Sequence, residues 1–175
     1  LITGISGFVG SHLAEYLLSL GHSVFGTIRS HRSNLENISH ILDKIILFEA
    51  DLTDRTAIDN AIRKFVEPDS MDANSEHLIF HLAAQSYVQE SFNMPLDTYW
   101  NNIVGTSNLL ESVRNICPDI KIQIASSSET YGLVYPDELP VTETNPLRPM
   151  SPYAVSKIAC DFMGQEAARR KLYPL

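Results

Sequence analysis

Three glycines lie within the first ten residues of this chain, which has eight glycines among its 175 residues. Gly4, Gly7 and Gly10 follow a short apolar pair and open a run of residues with helical periodicity. Between a strand and a helix, glycines permit a tight turn, a close approach of backbone N–H groups to a phosphate, and close packing of helix on sheet. This turn predicts a dinucleotide site, although its spacing differs by one residue from the Gly-x-Gly-x-x-Gly of many dehydrogenases.

Apolar runs and helical patterns alternate along the rest of the chain. Strands are predicted at residues 1–2, 24–28, 45–48, 78–80 and 120–125, and helices at 8–20, 54–66, 96–116 and 152–171. Each strand looks like an unbroken apolar run, which indicates a sheet covered on both faces. The pattern therefore predicts a doubly wound parallel α/β sheet, a Rossmann fold, whose first strand is incomplete.

Composition excludes several classes of protein. The formal net charge is −8, which disfavours a nucleic-acid-binding surface because phosphates require a basic face. The sequence contains no apolar run of about 18 residues, the length that a membrane-spanning helix needs. Its N-terminus lacks the charged, apolar and small-residue regions of a signal peptide. We expect a cytoplasmic protein.

The cysteines and histidines form no recognisable metal or disulfide pattern. Cys117 and Cys160 are the only two cysteines, and neither belongs to a Cys-x-x-Cys or histidine-spaced motif. We expect both to be reduced and to serve as buried packing residues. The six histidines are scattered singly, so no metal site is predicted.

The residue after the second predicted strand bears on the choice of cofactor. Enzymes that use NAD usually carry an acidic residue there, which binds the 2′-hydroxyl of the ribose. This chain has Arg29 instead. Because a guanidinium suits a 2′-phosphate, Arg29 favours NADP over NAD, unless it is simply a solvated surface arginine.

A tyrosine and a lysine stand four residues apart near the end of the chain. Tyr153 and Lys157 share one face of the predicted last helix. A nearby ammonium stabilises a phenolate, so the tyrosine can exchange a proton with an alcohol or ketone while a nicotinamide exchanges a hydride. Taken alone, the pair is equally typical of an amphipathic surface helix.

Several motifs occur in one order along the chain. They are the glycine turn at residues 3–10, Asp51-Leu52 after the third strand, His81-Leu82-Ala83-Ala84 after the fourth, Ser126-Ser127-Ser128 after the fifth, and Tyr153 with Lys157 in the next helix. This order resembles the extended short-chain dehydrogenase/reductase family, and the resemblance covers essentially the whole chain.

The resemblance implies a role for each matching residue. Ser127, Tyr153 and Lys157 match the family's catalytic triad, and Asn102 matches an asparagine with a structural role. The residues implied to contact the cofactor are Gly4, Gly7, Phe8, Val9, Gly10, Arg29, Asp51, Leu52, Leu82, Ala83, Ala84, Tyr153 and Lys157. Asp51 and Leu52 are expected near the adenine, and Lys157 is expected to hold the nicotinamide ribose.

Glu129 separates subclasses within this family. Sugar-nucleotide 4,6-dehydratases carry a glutamate here, whereas UDP-galactose 4-epimerases tend to have a small or hydroxyl residue. Dehydration needs a base that removes the C5 proton acidified by a 4-ketone, and a carboxylate can serve. The Ser128-Glu129 pair and the Gln85-Ser86 stretch resemble the GDP-mannose 4,6-dehydratase branch. This resemblance implies that Gln85, Ser86, Ser127 and Glu129 contact the substrate.

Other functions remain open at this point. Residues 138–143 and 147–153 look equally like GDP-4-keto-6-deoxymannose reductases, which consume NADPH. A nucleotide-sugar 4-epimerase and a non-catalytic NADP-binding regulator are further alternatives, although the triad is intact. We predict a dehydratase acting on GDP-mannose through bound NADP.

The resemblance also implies partners and further chain. Family members pair as homodimers or as dimers of dimers, through the helices equivalent to residues 96–116 and the Tyr153 helix. They also carry a smaller C-terminal domain that binds the nucleotide-sugar. We therefore expect residues 1–175 to be a single NAD(P)-binding domain that stops before this substrate domain.

Overall fold

The computed structural model describes residues 1–30, 33–67 and 76–172. The chain divides into two compact units. Unit 1 comprises Leu1–Ala84 and Asn108–Ala125, and unit 2 comprises Gln85–Ser107 and the residues from Ser126 onward. The sequence predicted a single domain, and the two units are described separately below.

Unit 1 contains a parallel sheet of five strands. They are β1 (Ile2–Thr3), β2 (Val24–Ile28), β3 (Ile45–Glu49), β4 (Leu78–His81) and β5 (Lys121–Ile124). Their order in space is β3-β2-β1-β4-β5, and every pairing is parallel. The chain therefore runs outward from β1 in both directions, which is the doubly wound arrangement that the alternating pattern predicts.

The α-helices are α1 (Phe8–Ser19), α2 (Arg55–Phe65), α3 (Val88–Asn93), α4 (Pro95–Tyr99), α5 (Gly105–Ile116) and α6 (Pro152–Leu172). Two of the predicted ends have clear caps. Gly21 follows α1 with φ +83°, a left-handed conformation suited to glycine. The Asp54 carboxylate accepts a hydrogen bond from the Ala57 N–H at the start of α2.

Two apolar clusters cover the faces of the sheet in unit 1. One joins Phe25 and Ile79 to buried residues of α2 and to Leu109 and Val113 of α5. The other joins Ile2 to Ala14 of α1 and to buried isoleucines around the 3₁₀ helix Glu36–Lys44. Burial of both faces explains why β2 is apolar on both sides.

The structure departs from the predicted elements in three places. Residues 96–116 do not form a single α-helix, because a π-helical segment, Trp100–Val104, separates α4 from α5. The α3 helix was not predicted. The edge strand β5 has alternating exposure at Lys121 and Gln123 and is not a continuous apolar run.

In unit 2, α6 packs against α3, α4 and the π-helical segment. A 3₁₀ helix, Ser128–Thr130, also lies against α6, and a second one spans Pro136–Glu138. Within the described ranges, no helix is both long and apolar enough to cross a membrane.

Candidate active site

The glycine turn in unit 1 requires two of its glycines absolutely. Gly4 has φ +72°, and a Cβ there would lie 2.9 Å from the Ala83 Cα. A Cβ on Gly10 would lie 2.4 Å from the Gly4 carbonyl oxygen. Both distances are too short for any side chain, so the turn brings β1, α1 and the end of β4 as close as backbones can approach.

The α1 helix begins directly after this turn. Gly7 is its N-cap and has no side chain that could satisfy the first N–H groups. The first turn contains no acidic residue, and Phe8 and Val9 are exposed. Open N–H groups and the positive end of a 12-residue helix form a site suited to a diphosphate. The turn therefore fits a dinucleotide.

Arg29 and Asp51 lie near each other after β2 and β3. The Arg29 Nε atom is 3.9 Å from Asp51 Oδ2, and the Arg29 side chain is 69% exposed. Asp51 Oδ1 accepts hydrogen bonds of 2.8 Å from both the N–H and the hydroxyl of Thr53. The carboxylate is thus held by its own turn, while the guanidinium stays accessible.

The remaining predicted cofactor residues of unit 1 differ in their exposure. The Leu52 side chain is buried in the core between sheet and helices, and its carbonyl accepts a hydrogen bond from Asn108. Leu82, Ala83 and Ala84 are half-buried and follow β4. Ala83 is the residue that faces Gly4. The structure thus brings the Ala83 backbone to the glycine turn, and contact of residues 82–84 with a cofactor stays a prediction.

Unit 2 contains all four predicted catalytic residues. Ser127 precedes the 3₁₀ helix Ser128–Thr130, and its hydroxyl accepts a 3.2 Å hydrogen bond from the Glu129 N–H. The Thr130 hydroxyl donates to the Ser127 carbonyl at 2.7 Å. These bonds close a tight turn that carries Ser127 and an exposed Glu129 side by side.

Tyr153 and Lys157 lie in the first turns of α6. The buried Ser151 caps this helix, because its hydroxyl accepts a 3.0 Å hydrogen bond from the Ala154 N–H. Tyr153 is 8% and Lys157 7% exposed. Burial lowers the pKa of the Lys157 ammonium, and a charged Cys160 one turn later would act in the opposite direction. This is not the solvated surface pair that the spacing alone allowed.

Asn102 anchors the start of unit 2. Its side-chain oxygen accepts a 2.7 Å bond from the Gln85 N–H, and its Nδ2 donates to the Gln85 carbonyl and to the Ser156 hydroxyl. That hydroxyl in turn donates to the Tyr153 carbonyl. Asn102 is 2% exposed and lies in the π-helical segment. The structural role implied for it is therefore specific: it ties the Gln85 backbone to α6.

Gln85 and Ser86 are the two predicted substrate residues that follow β4, and Gln85 is the residue whose backbone Asn102 binds. Ser86 is exposed. The Gln85 amide donates to the Tyr87 carbonyl at 3.0 Å. Its Oε1 atom is buried and has no hydrogen-bond partner within the described part of the chain. Substrate contact by Gln85 and Ser86 stays a prediction.

An arginine clamp, formed by Arg148 and Glu138, orders the loop between the Ser127–Thr130 turn and α6, and the sequence did not predict it. Arg148 donates two hydrogen bonds, of 2.7 and 2.6 Å, to the Glu138 carboxylate. Its guanidinium lies 5.0 Å from the centroid of the Tyr135 ring. The Arg148 backbone also bonds to Tyr131 and Leu133. The ion pair lowers the pKa of Glu138 to about 2.

Gly132 makes this clamp possible. It has φ +55°, and a Cβ there would lie 1.9 Å from the Arg148 carbonyl oxygen. Only glycine allows the chain after the Ser127–Thr130 turn to run this close to the segment before α6. A glycine after Tyr131 was the one sequence signal for this contact.

Cys117 and Cys160 are free thiols in the structure. Cys160 is buried, while Cys117 is only partly buried, so the prediction of two buried cysteines is wrong for Cys117. Burial raises the pKa of Cys117 to about 11. Among the residues that the structure describes, no three His, Cys, Asp or Glu side chains are grouped to hold a metal ion.

A parallel sheet in this order, a glycine turn after its central strand, and a buried Tyr153 and Lys157 on one helix are typical of the short-chain dehydrogenase/reductases. The comparisons with known proteins agree. Residues 1–173 match the family model described as GDP-mannose 4,6 dehydratase. The chain belongs to that family.

The chain is also similar to named relatives and to a solved structure. It is 39% identical over 168 residues to a GDP-mannose 4,6-dehydratase of Vibrio cholerae. It is 38% identical over 170 residues to GDP-mannose 4,6 dehydratase 2 of Caenorhabditis elegans. Each match covers 90% of this chain and 42% of the relative, so the chain spans less than half the length of these relatives.

The solved structure is the UDP-glucose 4-epimerase of Thermus thermophilus in complex with NAD. It superposes with a TM-score of 0.80 and is 30% identical, and the match covers 99% of this chain and 51% of the epimerase chain. The doubly wound fold predicted from the sequence is thus confirmed.

Proposed function

We propose that this protein is part of a GDP-mannose 4,6-dehydratase, which forms GDP-4-keto-6-deoxymannose with internal hydride transfer through bound NADP. The family supports the reaction class, because the relatives of Vibrio and Caenorhabditis carry that name. A nicotinamide cofactor held at the glycine turn would supply the hydride chemistry at C4 and C6 of the sugar. The chain's own residues must move the protons.

Tyr153 takes the proton from the C4 hydroxyl as the hydride leaves. Lys157 supports this step because its ammonium, buried one helical turn away, stabilises the phenolate. Ser127 donates or accepts a hydrogen bond at the reacting oxygen. The Glu129 N–H already bonds to the Ser127 hydroxyl and so orients it.

The position of Glu129 is the observation that most strongly supports the proposal. Its exposed carboxylate lies on the same tight turn as Ser127, and this turn packs on the Tyr153 helix. A base at this point can take the C5 proton once the 4-ketone has acidified it, and water then leaves from C5 and C6. Oxidation and re-reduction at C4 alone would need no such carboxylate.

Arg29 supports NADP as the cofactor. Its guanidinium is exposed after β2, and the 3.9 Å separation from Asp51 exceeds hydrogen-bond length. A 2′-phosphate would therefore meet an accessible cation, although it would also approach the Asp51 carboxylate. In this proposal Asp51 and Leu52 lie near the adenine.

A GDP-4-keto-6-deoxymannose reductase is the second candidate. The clamp favours it, because Glu138 and Arg148 lie in the two segments that resemble such reductases. A reductase consumes NADPH, whereas a dehydratase regenerates its cofactor within each turnover.

The deciding experiment gives GDP-mannose to the full-length protein without added NADPH and follows the product by mass spectrometry. We expect one water to be lost and a 4-ketone to form. The Tyr153→Phe variant should form no product, because it lacks the proton acceptor. If wild type leaves GDP-mannose untouched but oxidises NADPH with the 4-keto-6-deoxy sugar, the reductase replaces this proposal.

The proposal includes pairing of subunits through α4, α5 and α6. Leu96, Trp100 and Phe162 are exposed apolar residues on α4, on the π-helical segment and on α6. An exposed apolar surface of this kind is typical of an interface. A homodimer or a dimer of dimers is expected, and sedimentation of the full-length protein tests it.

A further inference from the structure

One buried hydroxyl joins the carboxyl ends of the neighbouring strands β1 and β4 in unit 1. Thr3 at the end of β1 is 0% exposed, and His81 at the end of β4 is 4% exposed. Thr3 Oγ1 lies 2.8 Å from His81 Nδ1. The same oxygen accepts hydrogen bonds from the N–H groups of Leu82 at 3.2 Å and Ala83 at 3.1 Å.

Counting protons settles the direction of the bond to histidine. A hydroxyl oxygen has two lone pairs and one proton. The N–H groups of Leu82 and Ala83 occupy both lone pairs of Thr3 Oγ1. The hydroxyl must therefore donate its proton to His81 Nδ1. A proton on Nδ1 would set three donors against two lone pairs and leave the hydroxyl proton without this acceptor.

We infer that His81 is a neutral imidazole with its proton on Nε2, and that Thr3 and His81 together are positioning residues of the cofactor site. His81 turns the Thr3 hydroxyl so that both lone pairs point at the N–H groups of Leu82 and Ala83. The inference rests on the proposed function only in assigning a cofactor to the turn.

The position of Ala83 gives the pair its effect on the turn. The Ala83 backbone lies where a Cβ on Gly4 would clash, with its Cα and N at 2.9 and 3.0 Å. The glycine turn and residues 82–83 therefore share one close contact, and a shift of either backbone moves the other. Loss of the hydroxyl leaves two N–H groups without their acceptor and allows that shift.

Matched variants test the arrangement in the full-length protein. Thr3→Val removes the hydroxyl while keeping the shape, and Thr3→Ser keeps the hydroxyl. His81→Leu removes the acceptor, and His81→Asn retains one in its amide oxygen. Hydrogen–deuterium exchange of the peptide containing Leu82 and Ala83 reports the two N–H bonds. Long-range proton–nitrogen spectra of protein labelled with [¹⁵N]histidine report the tautomer, with His81→Asn assigning the signal.

We expect the Nε2–H tautomer in wild type. Thr3→Val and His81→Leu should speed exchange at residues 82–83 and raise the Kd for nicotinamide cofactor about tenfold, whereas Thr3→Ser and His81→Asn stay within about threefold of wild type. A proton on Nδ1, or an imidazolium, at pH 7.5 overturns the inference, even if the valine and leucine variants fail to fold. Unchanged exchange and Kd in folded variants that lack the hydroxyl or the acceptor overturn it as well. If wild type binds no nicotinamide cofactor, the proposed function fails, while the tautomer and exchange still decide the hydrogen-bond arrangement.

Discussion

The glycine turn, to which we assign cofactor binding, and the segment from Ser127 to Tyr153, to which we assign catalysis, are ordered by opposite means. In the turn, Gly4 and Gly10 leave no room for side chains. In the segment, side chains do the ordering, because Glu138 and Arg148 clamp a long loop through two charged hydrogen bonds. We therefore expect that an added Cβ atom disrupts the structure of the turn, and that loss of a charged side chain disrupts the structure of the segment.

The two regions also differ in the groups that hold them. In the turn, the Gly7 N–H donates to the Gly4 carbonyl, and the neutral Thr3 hydroxyl accepts from the N–H groups of Leu82 and Ala83. In the segment, a charged pair does the ordering, since Arg148 donates to the Glu138 carboxylate ten residues away. Substitutions in the turn should therefore affect cofactor affinity, and substitutions in the clamp should affect turnover.

The largest effect is expected at Gly4. Alanine at φ +72° costs about 1–2 kcal/mol, and its Cβ would also meet the Ala83 backbone at 2.9 Å. We expect Gly4→Ala to raise the cofactor Kd about a hundredfold in calorimetry. Gly21→Ala is the matched control, because Gly21 has φ +83° with nothing within 4 Å. It should lower stability without changing the Kd. If Gly4→Ala binds cofactor with the same Kd as Gly21→Ala, the close contact between Gly4 and Ala83 does not shape the binding site.

Arg29 should give the next largest effect. Loss of a charge-assisted hydrogen bond costs about 1.5–3 kcal/mol, so Arg29→Ala should weaken NADP binding roughly ten- to a hundredfold and leave NAD binding nearly unchanged. Arg114→Ala, which removes an exposed arginine paired with Glu111, is the control. Equal losses for both cofactors would contradict a phosphate-binding role.

The clamp should show a smaller effect of a different kind. Glu138→Gln keeps the shape but removes the charge that Arg148 binds, so the loop between Ser127 and Tyr153 loosens. We expect kcat to fall about tenfold, since small displacements of catalytic groups are costly, while the cofactor Kd stays constant. Glu143→Gln, an exposed glutamate in the same loop, is the control. A change in cofactor Kd with constant kcat would reverse the assignment of the two regions.

The smallest effect concerns acid stability. The Glu138 pKa is lowered from 4.5 to about 2 by Arg148, so the clamp stabilises the folded state fully above about pH 4.5. That contribution disappears as the pH falls toward 2. The difference in Tm between wild type and Glu138→Gln should therefore shrink over this window. A constant difference would mean that the carboxylate charge is not what holds the loop.

Sequence reasoning succeeded where the contacts are local or periodic. The glycine turn lies within seven residues, and Tyr153 and Lys157 share a helix face at a spacing of four. It failed where the partners are far apart. Thr3 and His81 are 78 residues apart, and Gln85 and Asn102 are 17 apart. The π-helical segment was missed because a wider helical turn leaves no clear signature in the apolar pattern.

The Glu129→Gln variant tests most directly the central proposal that this site catalyses dehydration. Glu129→Gln keeps the volume of the side chain but removes the base. In a single turnover of the full-length variant with GDP-mannose in deuterated solvent, reduced nicotinamide should accumulate on the protein. Deuterium should enter C5 about 10²- to 10⁴-fold more slowly than in wild type. Dehydration at the wild-type rate would show that Glu129 is not the base and would contradict the account.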